Sequence, residues 1–131
     1  MNRKLNFRSD TSQLAGVRDE TRKFLAGAKL DEVSSNMVVL ALDEACTNII
    51  RYAYNHKCRL VRLEMNYDGC CIQFILRDYG KSCDPAKIKG RCLEEVRPGG
   101  VGVHIIRKVF DEVSYEPCGR GTRLTLTKKL Q

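Results

Sequence analysis

The chain has 131 residues, 43% of them hydrophobic, which suits one domain spanning residues 1–131 around one core and excludes a disordered segment. No apolar run approaches the ~20 residues of a membrane span, and Met1-Asn2-Arg3-Lys4 leads into no apolar stretch of the secretory kind, so a cytoplasmic location with no membrane attachment is expected. The net charge of +7 is spread evenly, with 11 basic and 8 acidic side chains in residues 1–65 against 12 and 8 in residues 66–131; it suits an acidic partner or a nucleotide, and without aromatic-basic interleaving it predicts no direct nucleic-acid binding.

A short alternating strand comes first, with Leu5 and Phe7 inward. Asp10 then starts a helix, with Gln13 placed as its capping partner, and Leu14, Val17, Thr21, Phe24, Leu25 and Ala28 form the buried stripe. After a break near Leu30-Asp31, a second helix is expected from about Ser34 to Tyr54, with Val38, Ala41, Leu42, Ala45, Ile49 and Tyr52 on its core face. At ~100° per residue, Met37, Glu44, Asn48 and Arg51 line one edge of that face. A carboxylate, a carboxamide and a guanidinium thus share one stripe bordering the core, as a half-buried site for a metal-bound polyphosphate requires.

Val61, Leu63, Met65 and Tyr67 alternate as a strand, Asp68-Gly69 reads as a two-residue hairpin turn, and Ile72, Phe74 and Leu76 return. Asp78 shares their parity and points inward, where a carboxylate is costly unless it meets a donor. Seven cysteines include the adjacent pair Cys70-Cys71 and no C-x-x-C, so reduced thiols are expected rather than a disulfide framework or structural zinc. Residues 80–99 read as a loop, with a turn at Asp84-Pro85; Gly99-Gly100-Val101-Gly102 opens a helix running to about Phe110. His104 is expected on that helix's surface or in packing, not as a phosphoacceptor. Strands near Val113–Glu116 and Thr122–Lys128 flank a Gly119-Arg120-Gly121 turn, with Thr122 inward. The order β-α-α-β-β-loop-α-β-β predicts a two-layer α/β sandwich, its mixed, mostly antiparallel sheet covered on one face by three helices.

These segments, in this order, resemble the histidine-kinase-like (GHKL) ATPase superfamily, and within it the anti-sigma-factor serine kinases. Glu44-Ala45-Cys46-Thr47-Asn48 matches the N box, Asp78-Tyr79-Gly80 with Asp84-Pro85 the first glycine box, and Arg97 to Ile106 the second; Asp111-Glu112-Val113 and Gly121-Thr122 match the family's usual segments beyond that box. Ser82 stands where a second glycine is usual, and Tyr79 and Cys83 are untypical at the pocket's rim.

The resemblance implies ATP and Mg²⁺ as cofactors, and a role for each residue. Asp78 would accept from the adenine amino group, with Thr122 nearby through water. Asn48 would ligate Mg²⁺, Glu44 would be the general base, and Arg51 would sit near the phosphates. Gly80 belongs to the first glycine box; the N–H groups of Gly100 and Gly102 would bind phosphate. Arg97 would stabilise the transferring phosphoryl group or touch the protein substrate.

It further implies a serine/threonine protein kinase with two partners: an anti-sigma-factor antagonist, phosphorylated as substrate, and a sigma factor held inactive. A homodimer is expected, and so is a separate substrate, since the chain has no room for a histidine-bearing dimerisation domain. The alternative is a nucleotide-gated binding module without kinase activity, acting in another bacterial signalling pathway.

Overall fold

The computed structural model describes residues 1–54, 57–80 and 101–130. Strand β1 (Asn2–Arg8) buries Phe7 and leaves Leu5 half-buried. Asp10 then caps a tight turn, Thr11–Gln13, its carboxylate accepting the Ser12 N–H at 2.9 Å. Helix α1 (Leu14–Gly27) grows out of that turn. Asp10 is the cap, as expected, but Gln13 makes no side-chain capping bond; the Asp10 N–H it would have accepted donates instead to the Arg8 carbonyl at 2.8 Å. All six residues of the expected α1 stripe, from Leu14 to Ala28, are buried.

Helix α2 (Glu32–Asn48) begins slightly earlier than its pattern suggested, because Asp31 caps it by accepting the Ser34 N–H at 2.8 Å. Beyond Asn48 the helix widens into a π turn, Ile49–Ala53, closed by the Tyr54 N–H on the Ile49 carbonyl. Such a turn holds one residue more than an α-helical turn. Side chains beyond it therefore rotate out of the 100° phase. Tyr52, expected in the core, is 39% exposed, and Tyr54 takes the buried position.

Strands β2 (Leu60–Tyr67) and β3 (Cys71–Asp78) form a hairpin. The Asp68 N–H donates to the Cys71 carbonyl, so Gly69 and Cys70 occupy the turn's centre, one residue later than expected. Gly69 supplies the positive φ there, and the Asp68 carboxylate accepts the N–H groups of both Cys70 and Cys71. Helix α3 (Val101–Val109) and strands β4 (Glu112–Pro117) and β5 (Thr122–Lys129) complete the order.

The sheet runs β1-β2-β3-β5-β4 and every pairing is antiparallel, so the mixed character expected of it is not found among the described residues. Its inner face (Val61, Leu63, Met65, Ile72, Phe74, Leu76, Leu124 and Leu126) meets the buried stripes of three helices in one core. Phe74 is its centre, packed edge-on against Phe24 of α1 at 6.3 Å and against Phe110 after α3 at 5.8 Å. Truncating it to alanine removes about 3–5 kcal/mol. The two-layer α/β sandwich is as expected, and it leaves Asp78 on the helix-covered side at the end of a central strand.

Candidate nucleotide site

Strand alternation carries Asp78 into the interior, and it is 4% exposed. Burial pushes its carboxyl above the ordinary carboxylate value, while the backbone N–H of Gly80, the Arg77 guanidinium and the backbone N–H of Thr122 pull the other way. The Gly80 N–H lies 3.0 Å from Oδ1. Asp78 is thus a fixed hydrogen-bond acceptor set in an apolar wall, and Gly80 and Thr122, both expected at the site, hold it there. Thr122 is half-buried, consistent with its inward parity.

Two residues to which the sequence assigned no role at the site shape this end of the sheet. Tyr54 donates its hydroxyl to the Leu60 carbonyl at 2.6 Å and accepts the Tyr79 N–H at 2.5 Å. Burial pushes its phenol up from the usual tyrosine value, which keeps the O–H donor in place. The end of the second helix is thereby tied to the residue after Asp78. The π turn that delivers Tyr54 has no pattern in the residue types that 3.6-residue periodicity could reveal. Gly121, with φ +84, is the second: a Cβ there would lie 2.0 Å from the Asp78 carbonyl oxygen. Only glycine lets the start of β5 approach the Asp78 backbone this closely. Its signal was the Gly-Arg-Gly turn, whose second glycine does more than turn the chain.

Of the expected α2 stripe, the Glu44–Asn48 pair is present as spaced, while Arg51 falls on the π turn beyond the helix. Glu44 and Asn48 are half-buried, one helical turn apart, and Arg51 is exposed. Asp43 beside them is paired with Arg18 of α1 at 2.9 Å, which pins α2 against α1 next to Glu44. Cys46, between them in sequence, faces the core instead; burial, then the nearby Asp43, pushes its thiol up to about 12. It is a packing residue, not a nucleophile.

Gly102 lies in the first turn of α3, where backbone N–H groups have no partner within the helix. His104 on the same helix is exposed, as expected. Arg97 and Gly100, together with Ser82, Cys83 and Gly99, lie outside the described residues. Tyr79 turns to the opposite face of the sheet from Asp78, its ring 4.3 Å from the Arg77 guanidinium, so the described part of the Asp78 cradle does not include it. The described residues hold no group of three His, Cys, Asp or Glu side chains suited to caging a metal. A cation here would take Asn48 and non-protein oxygens, a donor set suited to Mg²⁺. No described helix is long and apolar enough to cross a membrane.

Residues 7–128 match the histidine kinase-like ATPase domain family. Among curated proteins, the serine-protein kinase RsbW of Staphylococcus epidermidis is 28% identical over 105 residues, 72% of this chain and 65% of that protein. The serine-protein kinase RsbW of Staphylococcus aureus is 26% identical over 118 residues, 81% of this chain and 71% of its own length. The chain thus spans 65% of the length of the first of these relatives. Among solved structures, the histidine kinase domain from the blue-light activated histidine kinase of Erythrobacter litoralis EL346 superposes with a TM-score of 0.56 at 18% identity, covering 74% of this chain and 45% of that one. That likeness is one of fold. The match across residues 7–128 establishes that the chain belongs to the histidine kinase-like ATPase family.

Proposed function

We propose that the chain is an ATP-dependent serine/threonine protein kinase that also acts by binding: it phosphorylates an anti-sigma-factor antagonist and sequesters a sigma factor. The observation that carries the nucleotide half is Asp78, a carboxylate buried at a strand end and held by the Gly80 backbone N–H. A buried acceptor of this kind suits the exocyclic amino group of adenine. The kinase half rests on the half-buried Glu44 and on the similarity to proteins named serine-protein kinases.

In this reading each residue has one task. Asp78 accepts from the adenine amino group, and Thr122 and Gly80 hold its carboxylate. Asn48 would supply a side-chain oxygen to Mg²⁺, whose contribution is to neutralise phosphate charge. Arg51, Gly100 and Gly102 serve the phosphates, through a guanidinium and backbone N–H groups. Glu44 orients the attacking serine or threonine hydroxyl and takes its proton as the new bond to the γ-phosphorus forms. The bond from that phosphorus to the β–γ bridging oxygen breaks, with ADP leaving. Arg97 stabilises the transferring group or meets the substrate. The chain works as a homodimer in the cytoplasm.

The test is transfer of phosphate from Mg-ATP to an antagonist protein, followed by intact mass. Wild type is expected to add phosphate to a serine or threonine. Glu44→Gln, isosteric but unable to take the proton, is expected to bind nucleotide and transfer nothing. Normal transfer by the variant would remove Glu44 as base. An unmodified antagonist after long incubation with wild type would leave a binding module without kinase activity.

A further inference from the structure

The face of the sheet turned away from the helices carries a row of like charges. Arg62 on β2 pairs in register with Arg77 on β3, and Arg77 pairs with Arg123 on β5. Like charges directly opposite one another across strands are unfavourable, and here three stand side by side. Arg123 has a carboxylate, Glu116 of β4, at 2.8 Å, but both side chains are well exposed. Arg77 donates to the Asp78 carbonyl and lies under the Tyr79 ring; Arg62 approaches the same ring at 5.8 Å. Among the described residues no carboxylate forms an ion pair with either, although the Arg77 charge acts on the neighbouring Asp78 carboxylate. One row further along, Lys4 stands opposite Glu64, which is already engaged by the side-chain amides of Asn2 and Asn66. Lys4, Arg62, Glu64, Arg77, Tyr79 and Arg123 line a depression of about 500 Å³.

We propose that this face docks an acidic segment of a protein partner, a helix whose carboxylates recur at every fourth position and meet Arg62, Arg77 and Arg123. Neighbouring strands lie ~4.8 Å apart, and carboxylates four residues apart on a helix lie ~5–6 Å apart. The two spacings match, so one helical stripe can serve the whole row and relieve its repulsion. Guanidinium forks suit carboxylates in two-bond geometry. A second copy of this chain fits less well, because a two-fold interface presents the same patch from both sides and sets arginines against arginines. The site lies on the opposite face from the inward Asp78, so its occupancy does not require nucleotide.

The experiment is fluorescence anisotropy with a short labelled alanine-rich helical peptide bearing three glutamates at such a spacing, without nucleotide. A peptide with glutamines in their place is the control. Wild type is expected to bind the acidic peptide at least about tenfold more tightly than the control, with affinity falling steeply in salt. Arg62→Gln/Arg123→Gln is expected to lose about tenfold or more while melting no earlier than wild type, since repulsion has been removed. Should the double variant melt early, Arg62→Gln alone, at an exposed position, gives the same readout. Three results would overturn the proposal: equal binding of the two peptides, full binding by the variants, or tighter binding of a short single-stranded DNA through the same arginines. So would a wild-type dimer, seen by sedimentation, that the double variant breaks while neither protein binds the peptide.

Discussion

Replacing Asp78 by asparagine separates what this residue does for binding from what it costs the fold. An amide oxygen can still accept the Gly80 N–H that the carboxylate Oδ1 accepts now. The NH₂ group then replaces the second carboxylate oxygen, and at a site built to read an adenine amino group it sets donor against donor. A hydrogen bond to a charged acceptor contributes about 1.5–3 kcal/mol, and an unsatisfied buried donor costs about 1–3 kcal/mol. Together these predict a loss of about 2.5–6 kcal/mol, or roughly 70- to 25,000-fold in nucleotide Kd.

Stability moves the other way. Burial holds the Asp78 carboxyl above its ordinary value of 3.8, so the folded form keeps the proton longer than the unfolded chain. Wild type therefore loses stability relative to Asp78→Asn as pH rises through that raised value, and the deficit persists at neutral pH. Calorimetric titration with ADP, paired with thermal denaturation of the nucleotide-free proteins from pH ~4 to ~7, reads both effects. Nucleotide affinity within about threefold of wild type, from a folded variant, would refute the assignment of Asp78 to the adenine.

Other perturbations test the scaffold around it. Gly121→Ala drives a methyl into the Asp78 carbonyl at a positive φ; urea denaturation is expected to show a loss of at least about 1–3 kcal/mol, with weaker nucleotide binding. Tyr54→Phe strips the Tyr79 N–H and the Leu60 carbonyl of their partner; a loss of about 1–3 kcal/mol in urea should accompany faster hydrogen exchange at Tyr79, and unchanged exchange there would count against the tie. Cys46, with its thiol pushed up to about 12 and fully buried, should be the last of the five described cysteines to react with iodoacetamide in the native protein, read by peptide mass.

The parts of the fold that simple periodicity controls are legible in the amino-acid sequence. The α1 stripe, the inward residues of β2 and β3, and the burial of Asp78 all follow from counting in steps of 3.6 or two. Legibility stops where the backbone leaves those periods. The π turn after Asn48 exchanges Tyr52 for Tyr54, because one inserted residue rotates everything beyond it. The hairpin turn moves by one residue because Asp68 satisfies its bonding by capping rather than by turning. At the candidate site, single-element features such as the Glu44–Asn48 spacing can be read. The close approach of Gly121 to Asp78 cannot, since it depends on how β3 and β5 are brought side by side.

Phosphate transfer to a captured partner tests the central claim most directly. With Mg-ATP present, Glu44→Gln serves as bait in native cell extract, and each captured protein is then incubated with wild type and radiolabelled Mg-ATP. The account predicts a captured antagonist protein labelled on serine or threonine by wild type and left unlabelled by Glu44→Gln. Captured proteins that wild type never labels, from bait shown to bind ATP, would contradict it.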